Sequence, residues 1–233
     1  MKYLAIILAT LLLPLQAFAA NAVWDAGTTF APCQSAIVNS ATCTVVIGTV
    51  SNPVLICDVV HYQIGSPGTI TMSYNGASST QIGVTQFSTN VYYAIFYFTA
   101  PATGSHSLVV NSQNAISNGN YVHCASFSNT DQSSPLDGFI QTGPLAAAAS
   151  ITLTVTTSTA NIIVGGVIGQ NGRTFAATAP AWRIAGTFDS QATLASATTS
   201  SMTLTTTADN LLGTAFGINS FGTASAKSWF NDF

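Results

Sequence analysis

The stretch SITLTVTTSTANIIVGG runs from Ser150 to Gly166, and a shorter echo, SMTLTTTADNLLGTA, runs from Ser201 to Ala215. In the first, Ile151, Leu153 and Val155 alternate with Thr152, Thr154 and Thr156. Side chains on a strand point to opposite faces in turn, so this is how a half-buried antiparallel strand is written, apolar inward and hydroxyl outward. After Ala160-Asn161 the pattern becomes a continuous apolar run, Asn161–Gly169, and Leu211–Ile218 repeats the change. Runs that are apolar on both faces belong to central strands. The threonine ladder is therefore expected to be the wet side of a sheet. A surface matched to ice or to crystalline polysaccharide would need the repeat over many adjacent strands, and two instances do not supply it.

Working outward, strand signals recur at short spacing: 43–50, 54–62, 69–74, 91–99, 106–113, 120–127, 151–157, 161–169, 181–186, 202–207 and 211–218. Turn chemistry separates them at Gly65-Ser66-Pro67-Gly68, Asn75-Gly76, Pro101 to Gly104, Asn118-Gly119 and Asn171-Gly172. Many short strands at roughly 8–12-residue spacing predict an all-β sandwich or barrel. Composition agrees. Only 5% of residues are charged and glutamate is absent, while the wet faces of helices usually carry Glu, Lys, Arg and Gln.

The opening MKYLAIILATLLLPLQAFAA has a lysine, an apolar stretch from Leu4 to Leu15 and a small-x-small pattern at Ala17-Phe18-Ala19. It reads as a secretory signal peptide over residues 1–19, too short to span a bilayer, which needs about 20 apolar residues. The mature chain is expected to be secreted or held at the cell surface, with the periplasm as another destination, and without a membrane span. It retains three basic residues, Arg173, Arg183 and Lys227, against seven aspartates. Nucleic acid and anionic membranes need clustered Lys/Arg and are poor partners for this chain. Four cysteines in an exported chain predict two disulfides with three possible connectivities. Cys33 and Cys43 are close enough for a local staple within residues 20–43, which leaves Cys57 with Cys124.

Several segments together resemble a recurring β-sandwich module of phage structural proteins and exported bacterial surface proteins. SNPVLICDVV (51–60) looks like its early long strand, and TITMSYNGASSTQIG (69–83) resembles its strand-Tyr-x-Gly-strand hairpin. YYAIFYFTAPATGSHSLVV (92–110) is similar to its aromatic strand and returning strand, and CASFSNTDQSSPL (124–136) to its strand and corner. The resemblance covers roughly residues 44–219 and implies a single antiparallel, jelly-roll-like β-sandwich of about ten short strands. The hosts of that module are mostly binding, decoration or adhesion proteins, and no catalytic residue set travels with it. This sequence departs from the module at Ala94, where an acidic residue often interrupts the aromatic strand, and in its C-terminal tail, 220–233.

Chemistry-bearing residues are few. Zinc held by Cys57, His61, His123 and Cys124 fails on geometry, because residues 57 and 61 stand about 13 Å apart along a strand at 3.3 Å per residue. Neighbours 123 and 124 face opposite sides, while zinc needs its ligands within about 2.3 Å of one point. No metal site is expected. If Cys57 bonds Cys124 across antiparallel strands, Asp58 falls opposite His123 on the other face. Such a pair raises the imidazole pKa and can act as a pH-sensitive clasp, or it is a modest surface pair.

Tyr93 and Tyr97 share a strand face and could stack on sugar rings, or be buried between sheets with their oxygens at the rim. Burial is favoured, because exposed aromatic strands invite aggregation. Trp182 beside Arg183 is a second candidate platform. Asp131, Asp137 and Asp189 could hold calcium with backbone carbonyls, but no Asp-x-Asp-x-Asp-Gly loop is present. No Gly-x-Ser-x-Gly elbow occurs and no two aspartates are close in sequence, so a hydrolase is not favoured. The end KSWFNDF is too polar at alternating positions for a lipid-facing barrel strand, which leaves an outer-membrane barrel as a minor alternative. What remains is a non-catalytic protein with no cofactor, acting by contact with a glycan or cell-surface protein or by self-association.

Overall fold

The computed structural model describes residues 21–25, 29–30, 33–35, 40–62, 66–88, 91–114, 119–157, 160–169, 176–177, 182–184, 189–195 and 199–221. The expected signal peptide (1–19) and most of the C-terminal tail lie outside them. The described residues form strands β1 to β17, numbered in chain order, with no helix, and every pairing is antiparallel.

Three sheets form where a single two-sheet sandwich was expected. The first has the order β1 (Val23–Trp24), β11 (Gly119–Ser128), β5 (Val54–Tyr62), β9 (Val91–Thr99), β8 (Thr80–Ser88), with β3 (Cys33–Ser35) also beside β11. The second runs β2 (Thr29–Phe30), β4 (Ser40–Ile47), β10 (Gly104–Ser112), β6 (Ile70–Tyr74), β7 (Ala77–Ser78). The third runs β12 (Leu136–Thr156), β17 (Thr199–Asn219), β13 (Ala160–Gly169), β16 (Asp189–Ala195), β15 (Trp182–Ile184), with β14 (Ala176–Ala177) beside β17. Among the described residues of the N-terminal segment, β1 and β3 pair with β11 of the first sheet and β2 with β4 of the second.

The physical reason for a third sheet is written in β5 and β9. Leu55, Cys57 and Val59 with Phe96 and Phe98 meet Val45, Met72, Tyr74 and Leu108 of the second sheet. Val54, Ile56 and Val60 with Tyr93 and Ile95 meet Val164, Leu212, Phe216 and Ile218 of the third. Burying one such side chain contributes about 1.5–3 kcal/mol, so a strand apolar on both sides is stable only with a cover on each. The first sheet is the middle layer.

The third sheet then folds over itself. β12 and β17 pair from Leu136↔Ile218 to Thr156↔Thr199, with register shifts between Asp137 and Ser150. Those bulges let the far half of the ribbon turn back, so that Ile151, Leu153, Val155 and Met202 pack on Ile163, Val167, Leu211 and Ala215. Glycine permits the close approach. A Cβ on Gly213 would stand 2.6 Å from Leu153 Cδ2, and one on Gly165 would stand 2.7 Å from Met202 Cε. The alternation read in ITLTVT is as expected: Ile151, Leu153 and Val155 are buried, and Thr152, Thr154 and Thr156 are exposed. Thr152 Oγ1 lies 2.9 Å from Thr203 Oγ1, and Thr154 Oγ1 lies 2.7 Å from Ser201 Oγ.

The Asp-Gln-Ser-Ser-Pro-Leu corner ties the layers together. Gln132 Nε2 donates to Pro53 O at 3.1 Å, its Oε1 accepts from Ala100 N at 2.6 Å, and Asn219 Nδ2 donates to Ser134 O at 2.7 Å. Asp131 Oδ1 accepts from Ser133 Oγ, Ser133 N and Ser134 N. These bonds, the Ser133 hydroxyl foremost, hold its carboxyl below the ordinary carboxylate range against a smaller opposing effect of burial. A folded-state pKa below the unfolded one stabilises above the unfolded value and ceases to do so as pH falls through the folded one. Asp131→Ala is therefore expected to cost about 1 kcal/mol or less at neutral pH, given the solvent around it. Urea titrations of both proteins should show the difference closing below about pH 4.

Candidate functional site

The two tyrosines of β9 part company. Tyr93 is 4% exposed and sits between the first and third sheets. Its hydroxyl donates to Asp58 Oδ2 at 3.2 Å and lies 3.4 Å from Thr214 Oγ1. As a binding platform it is corrected: a ring at the centre of a two-sided core has no surface to offer. Tyr97 stays half-buried at the margin of the same core. Trp182 and Arg183 lie on the edge strand β15, and their side chains fall outside the described residues.

Tyr97 lines a cavity of about 240 Å³ at the rim where the first two sheets meet. Two turns form its walls. The Asn75-Gly76 turn joins β6 to β7, and Ala100 to Ala102 lead from β9 toward β10. Asn75 and Ala100 both hold left-handed backbone, with φ 48° and 44°. For Asn75 this is the backbone that a two-residue Asn-Gly hairpin turn requires, whereas Ala100 has no such local preference. Tyr74 closes the floor. Its hydroxyl donates to Ala102 O at 3.1 Å, its ring meets His106 and Phe98 edge-on, and burial pushes its phenol pKa up. Ser78, Thr80 and Thr99 add hydroxyls, and no lining residue is charged.

Asp58 and His123 meet as the disulfide register predicts. Cys57 Sγ and Cys124 Sγ are bonded, and the pairing sets Asp58 opposite His123. The pair is not a surface pair. His123 Nδ1 lies 3.4 Å from Asp58 Oδ1, with side chains 6% and 4% exposed. With Tyr93 and Thr214, Asp58 lines a cavity of about 20 Å³ between the first and third sheets, room for about one water molecule. Cys43 is also disulfide-bonded. The side chain of Cys33, its expected partner, lies outside the described residues.

Among the described residues, no group of three or more His, Cys, Asp or Glu is placed to hold a metal ion. Cys57 and Cys124 are bonded to each other, and Asp131 Oδ1 accepts hydrogen bonds from the two serines. Asp137 lies at the start of β12, and Asp189 opens β16 with its side chain outside the described set. No described helix is long and apolar enough to cross a membrane. No protein-family model matches the sequence, and a search among curated proteins finds no match.

The rim cavity was not among the sequence candidates, apart from Tyr97. In the sequence its walls are two turns 25 residues apart, and nothing local to either one announces the other.

Proposed function

We propose that the chain is an exported, non-catalytic β-protein that binds a neutral, hydroxyl-rich ligand, a glycan of the cell surface or its surroundings, in the rim cavity. The observation that carries this reading is the cavity's lining: the aromatic residues Tyr74, Tyr97 and Phe98, an amide and several hydroxyls without a charge. Sugar rings are recognised by flat apolar area combined with hydrogen-bonding groups, and a charged wall would be costly against an uncharged ligand. At about 240 Å³ the cavity is smaller than the roughly 300–1,000 Å³ usual for drug-sized ligands, and suits a single ring or chain end. In chain order β1 to β6 alternate between the first and second sheets, β6–β7 and β8–β9 are hairpins within one sheet each, and β10 and β11 alternate again. This supports a jelly-roll-like relation for that pair of sheets. Disulfides support export to an oxidising compartment.

The test is a glycan array followed by calorimetry on the best ligand. Asn75→Gly keeps the left-handed backbone and deletes the carboxamide, while Ser78→Trp fills the cavity from an exposed position. Each is expected to weaken binding at least tenfold, about 1.4 kcal/mol. An array without a ligand, or variants that bind like the parent, would refute the reading. A structural role through self-association is favoured by a different feature, the outer edge of β12.

A further inference from the structure

Strand β12 has β17 on one side and, among the described residues, no strand on the other. In an antiparallel edge strand every second residue turns its N–H and C=O outward, a template for another strand unless something blunts it. The two halves of β12 differ in this respect. From Asp137 to Ser150 the strand carries four register shifts, Pro144, and left-handed backbone at Gly138, Gly143 and Ala147. β8 also reaches that half, where Thr85 Oγ1 donates to Gln141 Oε1 at 2.7 Å. From Ser150 to Val155 the pairing is regular and the sequence, SITLTV, has no charge, proline or glycine. The devices that keep edges apart stop where the strand becomes straight.

We propose that this straight edge pairs with the same edge of a second copy of the chain, antiparallel about a twofold axis at Leu153. The sequence is its own complement in that register. Ile151 falls opposite the partner's Val155, Leu153 opposite the partner's Leu153, and Thr152 opposite the partner's Thr154. Apolar residues meet apolar ones on the side already buried against the third sheet, and hydroxyls meet hydroxyls on the exposed side. Any one-residue slip would set apolar against hydroxyl faces, so the register is selected by the alternation itself. Isologous pairing of this kind is the commonest route to a homodimer, and a chain with 5% charged residues opposes it little. The proposal is independent of the rim cavity, which lies at the junction of the other two sheets.

Light scattering on the full mature chain, disulfides intact, tests it from about 1 to 100 µM, the range in which a micromolar Kd shows. The parent is expected to reach the dimer mass. Thr152→Lys combined with Thr154→Lys changes only exposed positions, yet sets like charges directly opposite across the proposed axis, and should raise Kd at least tenfold. Thr152→Lys combined with Thr154→Glu sets opposite charges there and should dimerise like the parent. A far-UV spectrum shared by all three shows that the fold is kept. A parent that stays monomeric overturns the proposal. So does a double-lysine chain that dimerises undiminished, or a lysine–glutamate chain that does not dimerise.

Discussion

Replacing Asp58 with alanine is expected to lower the unfolding free energy by about 3–5 kcal/mol, the usual cost of removing one member of a buried pair. The carboxylate lies between two apolar sheets, 3.4 Å from His123 Nδ1 and 3.2 Å from the Tyr93 hydroxyl. Its loss leaves an imidazole and a phenol in a layer otherwise filled by Ile56, Ile95, Val164 and Phe216. Replacing both members with residues of similar bulk tests the cause. Asp58→Leu with His123→Leu removes the polar groups together, and should recover most of the loss, because buried pairs are seldom better than well-packed apolar ones. Urea unfolding of the parent, each single variant and the double variant gives the coupling directly. A double variant as unstable as Asp58→Ala would show that the site depends on shape rather than on the pair.

Removing the Cys57–Cys124 bond by changing both residues to alanine is expected to cost about 4 kcal/mol. The bond closes a chain separation of 67 residues. Restricting a loop of that length in the unfolded chain stabilises the folded state by roughly 3 to 5 kcal/mol. Both sulfurs lie in the core between the first and second sheets, so truncation also leaves a small void there. The double variant is a cleaner test than reductant, because Cys43 is disulfide-bonded too. The expected readout is a lower denaturant midpoint with a larger slope, since the released chain exposes more surface when it unfolds. An unchanged midpoint would mean that the six strands of the middle sheet hold their register without the bond.

The sequence and the structure agree most closely where a strand is regular. VLICDVVHY and VYYAIFYFT form strands over the residues expected for them, 54–62 and 91–99. The Asp58–His123 opposition followed from one assumed disulfide and the antiparallel rule, and the pairing reproduces it. What escaped was the first half of β12, LDGFIQTGPLAAAAS, where glycine, proline and an alanine run argue against a strand. Its pairing is carried by β17, which supplies a continuous partner while the bulges absorb the mismatch. MTLTTT and LLGTAFGI look like two strands in the sequence but belong to one. Asp209-Asn210 looks like a turn, yet both residues lie within β17.

By itself, then, the sequence determined the all-β class, the inward and outward sides of the ladder and the middle position of the strands apolar on both faces. These are consequences of side-chain alternation and the cost of leaving apolar surface in water, and both are local. Only the tertiary structure decided that three sheets form, that the long ribbon folds back over Gly165 and Gly213, and that Tyr93 is core while Tyr97 reaches a cavity. Those outcomes depend on which distant surfaces meet. A strand's pattern says that a face must be covered, but not by what.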